Sequence, residues 1–127
     1  MEQGLNIRPG QEWKELIKGR PQVTGTEGHD FTSIEVAIEW AQSGLYKEIR
    51  LNRAYKTVTG VQTTPRRLPD VIGIRHDGKV DVVEVQSKTD VRQELLERNE
   101  EAMKQLPESM RGRIQTRLSR SLKDQQP

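Results

Sequence analysis

The dipeptide Asp77-Gly78 is the feature that most constrains how this 127-residue chain can fold. It separates two runs rich in valine and isoleucine, residues 71–75 and 80–87. Asp-Gly is a strong signal for the two-residue turn of a β-hairpin, and β-branched side chains favour strands. The sequence therefore predicts that these two runs form neighbouring antiparallel strands.

Helices are predicted on both sides of this hairpin. Residues 30–43 carry apolar side chains at helical spacing, and Gly44 follows them as a helix terminator. After the hairpin, a cap at Thr89 or Asp90 begins a helix that extends to about residue 105. From Pro107, a last basic helix of about 14 residues is predicted, because its apolar side chains are spaced by four.

Further strands are predicted for residues 48–55 and 57–61, and a short helix for residues 11–18. The order of elements is helix, three or four strands, and then helices. This order predicts an α/β fold in which a small mixed β-sheet is flanked by helices.

The chain fits one domain, which we expect to cover residues 27–122. Residues 1–26 are predicted to be a leading segment or linker, and residues 123–127 a polar tail. No run approaches the roughly 18 apolar residues that a membrane span requires, so no membrane segment is predicted.

Composition excludes several classes of site. The chain has no cysteine, which rules out disulfides, thiolate zinc sites and cysteine nucleophiles. Its two histidines, His29 and His76, are too few for a multi-histidine metal site. A metal would therefore be bound by oxygen, which favours Mg²⁺, Mn²⁺ or Ca²⁺.

Charge varies along the chain although the formal net charge is only +2. Residues 42–68 carry 6 basic side chains against 1 acidic one. Residues 69–86 carry 4 acidic against 2 basic, and residues 106–127 carry 5 basic against 2 acidic. An acidic cluster between basic flanks can hold a divalent cation beside a polyanion, and ordinary solvated charge is the alternative explanation.

The second strand of the hairpin carries polar side chains in a central position. Because side chains alternate along a strand, Glu84, Gln86 and Lys88 share one face with Val82. Such a row is costly unless the side chains are solvated or bind something. The turn also brings Asp70 near Glu84 and Gln86, and two converging carboxylates make a site for a hard cation.

Pro69-Asp70, then 13 intervening residues, then Glu84-Val85-Gln86, resembles the bipartite motif of the PD-(D/E)xK nuclease superfamily. The resemblance covers about residues 27–105. It implies a restriction-endonuclease-like core, a mixed sheet flanked by helices. More narrowly, the chain is similar to the C-terminal toxin tips of interbacterial contact-dependent effectors, especially the DNA-degrading self-recognition (Idr-type) subfamily.

This resemblance implies metal-dependent hydrolysis of the phosphodiester bonds of DNA. Asp70 and Glu84 would ligate Mg²⁺ or Mn²⁺, and Glu35, or alternatively Glu39, on the first helix would complete the site. The nucleic-acid backbone would be held by the basic side chains of Lys47, Arg50, Arg53, Lys56, Arg66, Arg67 and Lys88.

The chain departs from the family at Gln86, where a lysine is usual. A lysine would stabilise charge in the transition state and orient the attacking water, whereas glutamine offers hydrogen bonds without charge. Gln86 is the positional match for the catalytic residue. Lys88, on the same strand face, is the alternative source of the cation.

The resemblance also implies delivery within a larger secreted effector, action in the cytoplasm of the target cell, and a cognate immunity protein as partner. A homodimer is a further hypothesis, since small nucleases that cut both strands often dimerise. Three other interpretations stay open. The same site could act on RNA, including tRNA; the chain could bind nucleic acid without cutting it; or the acidic helix 90–105 could serve a protein-interaction domain.

Overall fold

The computed structural model describes residues 15–19, 29–87 and 90–119. Helices and strands alternate along most of this range. In chain order the elements are β1 (Ile17–Gly19), α1 (His29–Ser43), β2 (Tyr46–Leu51), α2 (Tyr55–Thr59), β3 (Val71–Arg75), β4 (Val80–Gln86), α3 (Arg92–Met103), a 3-10 turn (Glu108–Met110) and β5 (Arg111–Leu118).

The five strands belong to one mixed sheet in the order β1-β2-β3-β4-β5. β2, β3 and β4 form an antiparallel meander, and each outer strand runs parallel to its neighbour. A parallel pair needs a long crossover connection, and α3 lies in the crossover between β4 and β5. The prediction of an α/β fold with a small mixed sheet flanked by helices is therefore confirmed.

Helices cover both faces of the sheet and bury two separate clusters. On one face, α1 packs Val36 and Ala37 against Ile49 and Val83. On the other face, α2 and α3 join the sheet in a cluster formed by Tyr55, Ile72, Val80, Val82, Ala102, Met103 and Leu106. β4 is thus buried on both sides, which explains its nearly continuous run of valines.

The predicted hairpin is confirmed, but its turn has three residues, 76–78, instead of the two that Asp77-Gly78 predicts. Val71 lies directly opposite Val83 across β3 and β4. The N–H of Arg75 donates to the carbonyl of Lys79 at 2.8 Å and closes the turn. Gly78 has a φ of 90°, a conformation that glycine adopts without the steric penalty of a Cβ. The helices predicted for residues 30–43 and about 90–105 are confirmed as α1 and α3, with small differences at their ends.

The strand predicted for residues 57–61 is wrong, because α2 occupies most of that segment. Tyr55 begins this helix and is fully buried. Its hydroxyl donates to the Asn99 side chain at 2.7 Å, which fixes the backbone close to α3. Gly60, with a φ of 81°, ends the helix. The preceding strand is correspondingly shorter than predicted and ends at Leu51.

The last predicted helix is also wrong, because β5 follows the 3-10 turn. Met110, Ile114 and Leu118 are spaced by four, and an even spacing also keeps side chains on one face of a strand. In the sheet, Ile114 lies opposite Val82 and Leu118 opposite Gln86. The apolar row that suggests a helix therefore forms one face of the strand β5.

Part of the predicted leading segment joins the sheet. Ile17–Gly19 form β1 and pair with β2, so the end of the helix predicted for residues 11–18 is wrong. Residues 11–14 and the tail at 123–127 lie outside the described residues. The bounds of the domain stay a prediction.

Within the described residues, no helix combines the length and the apolar character needed to cross a bilayer.

Gly112→Ala distinguishes the strand from the predicted helix. A Cβ at residue 112 would collide with the Asp81 carboxylate and the Val80 carbonyl oxygen of β4. We expect the variant to lose about 1–3 kcal/mol of free energy of unfolding in urea denaturation, the usual cost of overpacking. A helix would instead gain about 1 kcal/mol from alanine. The exposed Gln115→Ala in the same strand is the control, with an expected change below about 0.5 kcal/mol.

Candidate active site

Two carboxyl groups meet at the edge of the sheet where β3 begins and β4 ends. The register pairs Val71 with Val83, so the next residues, Asp70 and Glu84, stand opposite each other. Asp70 is only 5% exposed, and its Oδ2 accepts a hydrogen bond from the N–H of Val85 at 2.7 Å. The carboxyl groups of Asp70 and Glu84 are within hydrogen-bonding reach of each other. The structure thus brings together the two acids that the sequence pairs.

A buried amide holds the side chain of Glu84 from the helical layer. Asn99 of α3 is 0% exposed, and its Nδ2 donates to Glu84 Oε2 at 2.8 Å and to the carbonyl of Leu95 at 3.0 Å. Its Oδ1 accepts the hydrogen bond of the Tyr55 hydroxyl at 2.7 Å. One chain of hydrogen bonds therefore connects α2, α3 and β4 and ends at Glu84.

The surroundings of Glu84 raise its pKa to about 7. Burial is the largest cause, because it disfavours the charged form, and the negative charge of Asp70 is the second. The hydrogen bond from Asn99 and the charge of Arg98 lower the pKa and partly offset this rise. Burial also raises the pKa of Tyr55, so its hydroxyl stays protonated and donates to Asn99.

Arginine side chains line the same cleft as the acid pair. The cleft has a volume of about 250 Å³, and its lining residues are Arg66, Arg67, Leu68, Asp70, Glu84, Val85, Asp90, Leu95 and Arg98. The first three belong to the loop that precedes β3. This loop is fastened to the segment after α3, because Gln105 exchanges two hydrogen bonds with the backbone of Thr64, at 2.8 and 3.0 Å. Arg98 comes from α3 itself.

A larger depression of about 520 Å³ lies on the outer face of α3. It is lined by Glu94, Glu97, Arg98, Glu100, Glu101 and Lys104. All six side chains are exposed, which is the arrangement of an ordinary solvated helix face. The converging acids, buried Asp70 and half-buried Glu84, are found in the smaller cleft.

Gln86, the third position of the motif, is absent from the lining of the cleft. Its Nε2 instead donates to the carbonyl of Asp90 at 3.4 Å, near the start of α3. Lys88, the alternative cation, lies outside the described residues. The positive charge in the described part of the cleft therefore comes from outside the motif.

Glu35 and Glu39 lie on α1, which covers the opposite face of the sheet from Glu84. Glu39 forms a bidentate ion pair with Arg117 of β5, with distances of 2.8 and 3.0 Å. The charge of Glu35 also acts on Arg117, and the two glutamates together raise its pKa. Neither glutamate lines the cleft of Asp70 and Glu84.

Of the basic side chains predicted to hold nucleic acid, Arg66 and Arg67 line the cleft, and four others lie elsewhere. Arg50 forms an ion pair with Glu48 at 2.7 Å. Arg53 is exposed and donates to the preceding carbonyl at 3.1 Å. Lys47 and Lys56 are exposed on β2 and α2. These four could contact only nucleic acid that extends beyond the cleft.

The donors of the cleft fit a hard divalent cation. Asp70 and Glu84 offer carboxylate oxygens, and a cation between them relieves the repulsion that raises the pKa of Glu84. Mg²⁺ commonly takes one or two carboxylates and completes its shell with water and substrate phosphate. No group of three or more histidine, aspartate or glutamate side chains converges within the described residues. The site therefore offers two carboxylates without the third that the resemblance implies.

Three contributors to the site escaped the sequence analysis. Asn99 left a signal, since it stands four residues after Leu95 on the buried stripe of α3, where an amide must find partners. Tyr55 was missed because the sequence places it at the end of the strand predicted for residues 48–55, whereas it begins α2. Arg98 left no signal, because it stands among the exposed charges of an acidic helix.

Asp90 has a different role from the helix cap that the sequence predicts. The N-cap of α3 is Val91, without a side-chain hydrogen bond. The Oδ2 of Asp90 instead accepts hydrogen bonds from the N–H and the hydroxyl of Ser87, at 2.8 and 2.7 Å. Thr89, the other predicted cap, lies outside the described residues. Asp90 thus shapes the loop at the rim of the cleft.

Comparison of the chain with family models, curated proteins and solved structures gives no match.

Stability should depend on pH through Glu84. Its pKa is about 7 in the folded chain against a usual 4.5, so the folded state holds an extra proton between these values. The free energy of unfolding should therefore fall by about 1–3 kcal/mol as pH rises from about 5 to about 7 without divalent cations. Glu84→Gln cannot ionise and should lack this fall in a series of urea denaturations. Parallel curves for the two proteins would contradict the raised pKa.

The hydrogen bond between Tyr55 and Asn99 can be measured with a double-mutant cycle. We expect Tyr55→Phe and Asn99→Leu each to cost about 1–3 kcal/mol, because each leaves a buried polar partner unpaired. The double variant should be less destabilised than the sum by about 1 kcal/mol. Tyr55→Phe combined with Gln115→Ala is the control and should be additive within about 0.5 kcal/mol. Additivity in both cycles would refute a coupled chain.

Proposed function

We propose that this chain is a divalent-metal-dependent endonuclease that hydrolyses phosphodiester bonds of DNA. The observation that carries the proposal is the pair of Asp70 and Glu84 in a cleft that also contains three arginines. Carboxylates that bind a cation, beside groups that attract an anion, suit the hydrolysis of a phosphodiester. The resemblance of the Pro69-Asp70 and Glu84-Val85-Gln86 segments to the PD-(D/E)xK motif supports the same function. The mixed sheet flanked by helices agrees with the core that the resemblance implies.

Asp70 and Glu84 would hold Mg²⁺ or Mn²⁺ in this proposal. When bound, the metal supplies positive charge beside the scissile phosphate and a water of lowered pKa. The chain's own groups prepare the site. The N–H of Val85 orients Asp70, and Asn99 orients Glu84 and favours its carboxylate form. Arg66 and Arg67 attract phosphate groups into the cleft.

Arginine contacts to phosphates carry no information about base sequence. We therefore expect binding to weaken strongly with salt and to depend little on sequence. DNA is the proposed substrate because the similarity is to DNA-degrading toxin tips. RNA cleavage with the same metal dependence would keep the site and change the substrate.

The proposal includes a role as an antibacterial effector toxin. The resemblance to contact-dependent toxin tips supports delivery within a larger protein, action in the cytoplasm of a target cell and a cognate immunity protein. A homodimer is part of the proposal because small nucleases that cut both strands often dimerise. Bacteria that express the chain in the cytoplasm should stop growing, and the same cells with Glu84→Gln should grow. Equal growth arrest by both proteins, at equal expression, would show that toxicity does not depend on the proposed site.

The nuclease activity is tested on plasmid DNA and on total RNA, with Mg²⁺, with Mn²⁺ and with EDTA. Asp70→Asn and Glu84→Gln should slow metal-dependent cleavage by about two orders of magnitude or more, because both acids act at the reacting centre. Glu97→Gln removes an exposed carboxylate of α3 outside the cleft and is the matched control. Circular dichroism establishes that each variant is folded before its rate is compared.

Glu35→Gln tests the third acidic residue that the resemblance implies. Because Glu35 belongs to the layer on the opposite face of the sheet, we expect its variant to cleave at nearly the wild-type rate. A loss of cleavage rate as large as that of Glu84→Gln would show that Glu35 takes part in the active site. If folded wild-type protein cuts neither polymer with either metal, the enzyme proposal fails and a non-catalytic nucleic-acid-binding module replaces it.

A further inference from the structure

Arg67 carries a buried hydrogen-bond donor in the cleft. Its Nε is shielded from solvent, and no acceptor for it lies within residues 15–19, 29–87 and 90–119. A buried donor without a partner is costly, so such a group is uncommon in a folded chain. The loop that carries Arg67 is held by the hydrogen bonds between Gln105 and Thr64, which limits its freedom to turn the donor to water.

Arg98 brings a second guanidinium to the same cleft from α3. Its charge acts on Glu84 and lowers the pKa of that carboxyl, so the two groups are electrostatic neighbours. Other arginines are committed elsewhere: Arg50, Arg75 and Arg117 each form an ion pair with a carboxylate. Within the described residues, Arg66, Arg67 and Arg98 line the cleft without such an ion pair. Of these three, Arg67 carries the buried donor and Arg98 acts on Glu84.

We propose that Arg67 and Arg98 form a phosphate-binding clamp in this cleft and supply, at the reacting phosphodiester, the positive charge that Gln86 lacks. Guanidinium groups present several N–H donors in a fixed planar fork, which matches the oxygens of a phosphate. The ligand class is therefore a phosphate group of a nucleic acid, and its simplest probe is inorganic phosphate. Phosphate binding is independent of the proposed function, whereas the contribution to cleavage rests on it.

The chemistry of phosphodiester hydrolysis requires positive charge beside the reacting phosphate. Negative charge grows on the phosphate as the attacking oxygen approaches, and fixed positive groups beside it stabilise this charge. Gln86 is uncharged, does not line the cleft and donates to the carbonyl of Asp90. The clamp supplies this charge from the loop before β3 and from α3, the two elements that flank the acid pair.

Phosphate binding by the clamp is tested by nuclear magnetic resonance of the full chain labelled with ¹⁵N, in EDTA, with inorganic phosphate as the probe. We expect the Arg67 Nε–H signal to shift on titration, because phosphate bound to the guanidinium group changes the surroundings of this nitrogen. Arg98→Gln and Arg67→Gln should each weaken apparent phosphate affinity by at least about fivefold. Arg92→Gln is the matched control, since Arg92 is on the same helix but donates to Thr116 at 3.0 Å, and its affinity should be that of wild type.

The contribution of the clamp to catalysis is tested by the rate of plasmid cleavage. We expect Arg67→Gln and Arg98→Gln to cleave about 100-fold more slowly than wild type, as on loss of a donor to developing charge. Thermal stabilisation by Mn²⁺ should persist in both, because neither is a metal ligand. Arg98→Lys should recover part of the rate, since lysine keeps the charge but not the planar fork.

Two results would overturn the clamp. One is an Arg67 Nε–H signal that stays fixed up to about 50 mM phosphate, where even a millimolar site would be filled. The other is cleavage by folded Arg67→Gln and Arg98→Gln within about threefold of an active wild type, a difference too small for a donor at the reacting phosphate. A wild type that cuts nothing defeats the proposed function instead, and the phosphate titration still decides whether the clamp exists.

Discussion

The register between β3 and β4 is the constraint on which the cleft depends. It is set at the Asp77-Gly78 turn, where Gly78 donates to the Arg75 carbonyl at 2.9 Å. Because side chains alternate along a strand, a slip of one residue would turn Glu84 toward the apolar layer under α1. The correct register pairs Val71 with Val83 and so sets Asp70 against Glu84. A turn at one end of the hairpin thus determines which side chains meet at the other end.

Keeping two acids together at that end requires support from the helical layer. Asn99 can give a hydrogen bond to Glu84 only because α3 packs on this face, through Leu95, Ala102 and Met103. The Tyr55 hydroxyl in turn fixes the orientation of the amide, since it occupies the Asn99 oxygen and leaves the nitrogen to face the acid. The apolar contacts and the polar chain are therefore interdependent: the packing brings the amide to Glu84, and the amide compensates the burial of Glu84.

The sequence contains most of the information about the hairpin and little about what surrounds the acids. The turn and the valine-rich run are local signals, so β3, β4 and the pairing of Asp70 with Glu84 could be predicted. β5 could not, because the spacing of Met110, Ile114 and Leu118 is compatible with both a helix and a strand, and pairing with β4 decides between them. The helix α2 could not be predicted for a similar reason. Its Tyr55 hydroxyl donates to Asn99, which is 44 residues away in the sequence.

The basic residues illustrate the same limit. Counting charges correctly selects the segment that contains Arg66 and Arg67, but counts do not show which side chains reach the cleft. Arg98 could not be predicted at the site because it stands among the acidic residues of an exposed helix, and only the packing of α3 brings it to the cleft of Asp70 and Glu84. The motif likewise predicts Gln86 at the site, yet the start of α3 offers its amide the carbonyl of Asp90. Tertiary contacts decide each of these cases.

Asp81 and Glu84 show that the burial of two acids on the same strand can be compensated to different degrees. Asp81 is 3% exposed, but its Oδ2 accepts the Tyr46 hydroxyl at 2.6 Å and its Oδ1 accepts the N–H of Arg113 at 2.8 Å. The Arg75 guanidinium, 3.6 Å away, adds a positive charge. Donors and a cation within the fold thus compensate the burial of Asp81. Glu84, on the other face, has the amide of Asn99 and a second acid as neighbours, so its burial is only partly compensated. In the function that we propose, a cation from solution would complete at Glu84 what Arg75 and Tyr46 provide at Asp81.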